Sequence, residues 1–370
     1  MIQYWIAHRG NLEGPNPERE NHPKYIQEAL NQGFDVEIDV WKIQGGLFLG
    51  HDKPQYSTTL EFLKNPKLWC HAKNLEALTF MLEHSIRCFS HDKDDYVIVS
   101  DGSIFAYPGK PLNERTVCVM PEWVQYTESE LKGCLGICTD YIAYYRQKLN
   151  ATQRIAMVLS GRTKCYETDL IPELKRYHQE NPEHWIDIFT SINSEFEEKY
   201  VRDIFPCRYH FEIYNWPERY QNYENIREEY KTQHHLINNF LSHYYNNFKC
   251  SQLMKNYCKA NLIRYDKVIL YRTDIFGSSL PWILKTRIQE KTIYYPEQHI
   301  FHPDWINNAI VIGDYDTMQF YFKLYEYIDE YLFKDQYVLH SESLITYHMR
   351  KNNYLFKPFN FPYELNPIRR

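Results

Sequence analysis

Four short clusters near the start of the chain carry side chains suited to phosphoryl chemistry: His8-Arg9-Gly10, Glu20-Asn21, Glu37-Ile38-Asp39 and Gly50-His51-Asp52. In a strand, residues two apart project from the same face, so Glu37 and Asp39 converge if their segment is extended. Two convergent carboxylates repel each other unless a cation lies between them, and hard divalent ions prefer oxygen donors. An arginine can grip phosphate oxygens bidentately, and two histidines can move protons near neutral pH. A phosphodiester makes these three demands, because its anionic oxygens must be neutralised, its nucleophile deprotonated and its leaving alkoxide protonated. The competing reading of Glu37 and Asp39 is the wet face of a half-buried strand with Val36, Ile38 and Val40 in the core. The company of His8, Arg9 and His51 favours the chemical reading.

Such residues need a rigid scaffold, and the hydrophobic pattern supplies one. It predicts strands over residues 2–8, 34–41, 68–72 and 117–120, and helices over 23–32 and 74–82. Residues 92–111 read as turn-rich, and Phe89-Ser-His91 with the charged run 92–96 has two readings, a further histidine near the site or, the leading one, a solvated turn. A polar stretch over 145–153 follows, and the pattern restarts with Arg154-Ile-Ala-Met-Val-Leu-Ser160, an apolar run of the parallel-sheet kind. At 370 residues the chain exceeds what one core usually holds, so two domains are expected, over 1–146 and 153–370.

The order of the four clusters resembles the glycerophosphodiester phosphodiesterase family, which has HRG after its first strand, then EN, an ExD strand end and GHD. The resemblance covers roughly residues 4–142 and implies a compact, trimmed TIM-type barrel holding a divalent ion (Mg, Ca or Mn). It implies that His8 and His51 are the acid/base pair, that Arg9 and Glu20 organise the phosphate and metal surroundings, and that Glu37 and Asp39 ligate the ion. Cys70-His71-Ala72-Lys73 resembles the family's later Glu-x-Lys strand end, which places Lys73 toward the phosphate and His71 where a third metal carboxylate usually stands. An imidazole there suits a borderline ion such as manganese, or leaves the ion an extra water. The length also departs from the pattern, since a (βα)8 barrel usually takes about 250 residues.

In the second half, the strand ending at Ser160-Gly161-Arg162 offers a small-residue turn with a basic group, where a diphosphate can rest at the carboxyl end of a parallel sheet. The run 265–275, with Arg272-Thr273-Asp274, resembles the metal-binding strand end of GT-A glycosyltransferases in an R-x-D variant. The runs 310–316 and 340–348 resemble that fold's acceptor-side strand and following helix. The resemblance implies a Rossmann-like α/β domain with Gly161, Arg162, Arg272 and Asp274 on a nucleotide-sugar donor, and Asp314 or Glu342 on the acceptor hydroxyl. The alternative makes Arg272 and Asp274 an ion pair capping a core strand, and the domain a binding module with tyrosine-rich grooves.

Composition bounds the function classes. Hydrophobic residues at 44% and charged residues at 24% are ordinary for a globular protein, and no uninterrupted apolar run is long enough for a membrane span. The first residues read as a strand rather than an export signal, which predicts a cytoplasmic protein, and nine irregularly spaced cysteines predict free thiols. A net charge of -6 gives no global drive toward nucleic acid. The leading expectation is a two-domain enzyme on glycans or glycerophosphate-containing polymers, one half hydrolysing a phosphodiester and the other transferring a sugar. The alternatives are a glycosyltransferase whose barrel only captures phosphorylated glycans, and a scaffold with neither activity.

Overall fold

A computed structural model describes residues 2–124, 126–160, 171–192, 209–213, 234–272, 275–276, 280–297, 304–337, 340–360 and 364–365. The chain divides into two compact units, Met1–Asn150 and Ala151–Arg370.

The first unit is built on β1 (Tyr4–His8), β2 (Asp35–Ile43), β3 (Gly46–Leu49), β4 (Tyr56–Thr58), β5 (Leu68–Ala72), β6 (Cys88–Phe89), β7 (Tyr96–Ile98), β8 (Ile104–Ala106), β9 (Thr116–Val119) and β10 (Gly136–Thr139). The parallel ladder runs β6-β5-β2-β1-β10-β9-β8, so the first strand pairs with both the second and the last. Between the strands lie α1 (Pro23–Asn31), α2 (Leu60–Leu63), α3 (Leu75–Glu83), α4 (Glu128–Lys132) and α5 (Ile142–Asn150). Local sequence sets the helix starts: Pro23 opens α1, and the Asn74 side chain caps α3 by accepting from the Ala77 amide. The same Asn74 amide donates to the carbonyl of Lys42, fixing α3 to the end of β2.

Alternation along the strands makes two cores. One face of β2 sends Val36, Ile38 and Val40 into an outer core with Ile26, Ala29, Ala77, Met81, Ile142 and Leu149 from the helices. The other face lines an inner core of Ile6, Trp69, Phe89, Val97, Phe105, Val117 and Cys138. Phe89 of β6 and Phe105 of β8 come from opposite ends of the ladder, yet their ring centroids lie 4.7 Å apart, so the sheet is curled around its interior.

The expected TIM-type barrel is not closed among the described residues. Where a barrel would place a further helix and parallel strand after β6, the chain turns back as β7, antiparallel to β8. The seam is bridged only locally, where the Ser100 amide donates to the Cys88 carbonyl at 2.9 Å and the Cys88 amide to the Ser100 hydroxyl at 3.0 Å. A second difference lies at 145–153, read as a polar linker. Ile142, Tyr145 and Leu149 fall on one face of α5 and are buried, so helix runs to Asn150.

The second unit is a mixed sheet in the order β13-β12-β11-β14-β17-β16-β18, made from β11 (Gln153–Ser160), β12 (His184–Ile192), β13 (Tyr209–Ile213), β14 (Lys267–Arg272), β16 (Thr292–Pro296), β17 (Ile310–Gly313) and β18 (Leu355–Phe359). A separate pair joins β15 (Ile275–Phe276) to β19 (Glu364–Leu365). The parallel part, β13-β12-β11-β14, reverses its order of addition beside β11, the Rossmann-like switch point. α6 (Ile171–Glu180) and α8 (Leu280–Lys285) cover one face, through Leu174, Tyr177, Ile283 and Leu284. α7 (His234–Asn261), α9 (Tyr315–Phe322), α10 (Leu324–Asp329) and α11 (Ser341–Lys351) cover the other, which is why β11 and β14 are nearly continuous apolar runs. No helix among the described residues is long and apolar enough to cross a membrane, and the cysteines among them are free and buried.

Candidate active site at the strand ends of the first unit

Parallel pairing brings the sequence clusters together. His8 lies opposite Glu37 in the β1–β2 register, and Asp39 opposite His71 in the β2–β5 register. Ala7 pairs with Thr139, so the next residues, His8 and Asp140, also meet. All of these side chains stand at the carboxyl ends of parallel strands, on the inner face, where successive strands aim into one opening. The opening is a cleft of about 790 Å³, whose lining includes His8, Arg9, Glu20, Asn21, Glu37, His51, His71, Lys73, His91, Tyr107 and Asp140.

At its centre His8 Nδ1 donates to Asp140 Oδ1 at 2.7 Å, which turns Nε2 toward Glu37 Oε2, 3.8 Å away. Burial disfavours a charged imidazole, but the Asp140 hydrogen bond and the Glu37 carboxylate outweigh it and raise the pKa of His8. Asp140 is itself braced by the Asn11 amide at 2.8 Å.

Glu37 and Asp39 respond oppositely to sharing a strand. Burial, then the neighbouring Asp39, pushes Glu37 upward. Asp39 is also buried, but the adjacent His71 and the charges of Arg9 and Lys73 hold it well below the usual carboxylate range. Arg9 Nε lies 3.1 Å from Asp39 Oδ2, Lys73 Nζ 3.4 Å from Oδ1, and the Asn21 amide donates to Oδ2 at 2.8 Å.

The donor set fits a divalent ion. Ligand atoms of Glu37, Asp39 and His71 all lie within 4.8 Å of one another. Oε2 of Glu37 and Oδ1 of Asp39 are buried without a hydrogen-bond partner, and His71 Nδ1 and Lys73 Nζ approach Oδ1 only as ion pairs. Buried anionic oxygens left without donors are what a metal site leaves for its ion. Glu20, expected with Arg9 to organise the phosphate and metal surroundings, lies against Arg9 Nη1 at 3.1 Å and the Asn11 amide at 2.9 Å, where it holds the guanidinium. His51 sits in the cleft lining beyond β3, its Nδ1 2.7 Å from Asp52 Oδ1. Its loop is fixed by Gly50, at φ +144°, whose amide donates to the Asp39 carbonyl and whose carbonyl accepts from Trp41 Nε1 at 2.6 Å.

No protein-family model matches the sequence, and no curated protein matches it. Among solved structures, similarity is found to the galactosyltransferase LgtC in complex with donor and acceptor sugar analogs, at 11% identity over 55% of this chain and 73% of that one, with a TM-score of 0.32. The apo-form glycosyltransferase GlyE of Streptococcus pneumoniae TIGR4 shares 11% identity over 56% of this chain and 45% of that one, at a TM-score of 0.31. The inositol-1-phosphate CTP transferase of T. maritima shares 10% over 60% and 93%, at 0.32. Likeness of this degree assigns no activity to this chain.

Several site residues escape the sequence motifs. Asp140 and Asn11 do so because their roles depend on strand register and on the turn after β1. His91 follows the alternative reading of its segment, a further histidine in the cleft: its ring stacks on His71 with centroids 4.7 Å apart, and its Nε2 hydrogen-bonds the Tyr107 hydroxyl. Burial, helped by His71 and Lys73, lowers its pKa to about 4. The one sequence signal for Asp140 is an acidic residue ending the last apolar strand, the same signature that marks Asp39.

In the second unit Gly161, Arg162 and Asp274 lie outside the described residues. Arg272 ends β14 in register with Ser160. Glu342 is buried in the first turn of α11, and burial, opposed by the charge of Arg272, pushes its pKa up to about 7. Asp314 is a different matter. Because β17 is antiparallel to β14, Gly313 pairs with Val268, which puts Asp314 at the opposite sheet end from Arg272. There it caps α9, accepting from the amides of Asp316 and Thr317.

Proposed function

We propose that the first unit hydrolyses phosphodiesters with the help of a divalent ion. The observation that carries the reading is the meeting, in one cleft, of the His8–Asp140 pair with the Glu37, Asp39 and His71 donor set and the cations Arg9 and Lys73. Glu37, Asp39 and His71 would hold the ion, which when bound neutralises phosphoryl charge and polarises the phosphorus–oxygen bond. Arg9 and Lys73 orient the anionic oxygens. His8, whose proton Asp140 and Glu37 favour, donates from Nε2 to the leaving alkoxide as its bond to phosphorus breaks. His51 accepts the proton of the attacking water as the new phosphorus–oxygen bond forms. The test is release of alcohol from glycerophosphodiesters or bis(p-nitrophenyl) phosphate with and without divalent ions. Turnover that ignores both chelation and His8→Ala would refute the reading, and absence of turnover would leave the cleft to the capture of phosphorylated glycans.

For the second unit we propose transfer of a sugar from a nucleotide-sugar donor at the switch point between β11 and β14. The supporting observation is that Arg272 stands at the end of β14 beside Ser160 of β11, and that its charge acts on the buried carboxyl of Glu342. Asp274→Asn is expected to abolish transfer while phosphodiester hydrolysis persists. Retained transfer would move the role to another acid.

A further inference from the structure

The cleft is far larger than a phosphate group, and its mouth has a composition of its own. Trp123 lines it with 69% of its surface exposed, among Asp52, Lys53, Gln55 and Asp92. An indole this open presents aromatic surface to the cleft. It is not on a loose loop. Met120, at φ +43°, redirects the chain out of β9, Pro121 stiffens the turn, and the Trp123 amide donates to the Met120 carbonyl at 3.1 Å. The preceding Glu122 is tied by the Thr139 hydroxyl, 2.6 Å from its Oε2. Thr139 adjoins Asp140, so the indole is anchored one residue from the strand end that holds His8.

A cleft lining that holds a flat aromatic face together with polar side chains suits a ligand that is itself two-faced. A lipid tail would need a continuous apolar wall, and Asp52, Lys53, Gln55 and Asp92 in the same lining interrupt it. A pyranose ring presents C–H bonds on one face and hydroxyls around its edge, which matches a lining that combines an indole with carboxylates, an amide and an amine.

We infer that Trp123 is the stacking platform for a sugar ring, and that the substrate class of the cleft is a phosphodiester with a sugar on one side of the phosphorus. This rests on the hydrolase reading and deepens it. The ring lies over the indole at the mouth while the phosphate reaches Arg9 and Lys73 below.

The test compares the full chain with Trp123→Ala and Trp123→Phe, using glycerol-phosphate-glucose and glycerol-phosphate-glycerol diesters as paired substrates. Wild type is expected to prefer the glucose diester in kcat/KM. Trp123→Ala is expected to lower that preference roughly tenfold, with Phe restoring most of it. Equal rates on the two diesters in wild type, or a preference unmoved in Trp123→Ala, would overturn the inference. The intrinsic fluorescence difference between wild type and Trp123→Phe, titrated with the glucose diester, separates the two failures. Quenching without turnover would sustain the platform and remove the hydrolase reading. Neither quenching nor turnover would end both.

Discussion

Asp140 accepts a 2.7 Å hydrogen bond from Nδ1 of His8, across 132 residues of sequence and one rung of the β1–β10 ladder. The contact fixes the ring orientation, leaves Nε2 facing the cleft and raises the pKa of the imidazole.

Asp140→Asn keeps the shape and removes the charge. A general acid or base contributes about 10²- to 10⁴-fold, so loss of its orienting partner should reduce kcat for diester hydrolysis on the order of 10²-fold. Divalent-ion binding should persist, because Asp140 is not in the donor set. Steady-state kinetics on the variant checks this, and a kcat within twofold of wild type would remove the pair from the mechanism.

Gly50 is the residue that cannot change. A Cβ there would come 2.2 Å from the Lys53 carbonyl, at a φ of +144° that L residues avoid. Gly50→Ala should cost about 2 kcal/mol or more and shift the loop carrying His51. Thermal melting is expected to show a midpoint several degrees lower. An unchanged midpoint would mean the loop relaxes freely.

How much of this could be read from the chain depends on the range of the signal. Period-two alternation in Asp35–Ile43 suffices to put Glu37 and Asp39 together, and the polar Asn74 before an apolar run suffices to start α3. Asp140 and Asn11 act through register and turn geometry, which no local pattern encodes. The open seam was equally hidden, because strands as short as β6 and β7 carry too few residues to show a period or a direction. The placement of Asp314 turned on strand direction too: an apolar run such as Ile310–Gly313 reads the same whether parallel or antiparallel.

His348 predicts how the second unit responds to acid. It is fully buried, hydrogen-bonded to the Tyr331 hydroxyl at 2.8 Å and the Phe320 carbonyl at 2.9 Å, and burial lowers its pKa to about 4. A folded-state pKa below the unfolded 6.5 means the unfolded chain binds the proton first. Its contribution is therefore complete above pH 6.5 and is lost as pH falls toward 4, about 3 kcal/mol in all. His348→Gln should flatten the pH dependence of this unit's melting across that window. An identical slope in the variant would assign the acid sensitivity elsewhere.

The division at Asn150 predicts that a fragment ending there folds alone, because Tyr145 and Leu149 complete the outer core. A fragment ending at Gln147 loses Leu149 and should melt lower. Circular dichroism melts of the two fragments decide this, and equal midpoints would show that the last turn of α5 adds nothing.

On the proposed hydrolase reading Glu37 and Asp39, brought to one face by one strand, hold a divalent ion. Calorimetric titration of the full chain with Mn²⁺, beside Glu37→Gln and His51→Ala, measures that binding. Glu37→Gln is expected to lose one site that wild type has, and with it the hydrolase activity. His51→Ala should keep the site and lose the activity, because its role is proton transfer. Where the ion is present at a hundred times its dissociation constant, the site should stabilise the fold by about 2.7 kcal/mol, a gain absent in Glu37→Gln. Equal Mn²⁺ stoichiometry and affinity in wild type and Glu37→Gln would show that these carboxylates hold no ion.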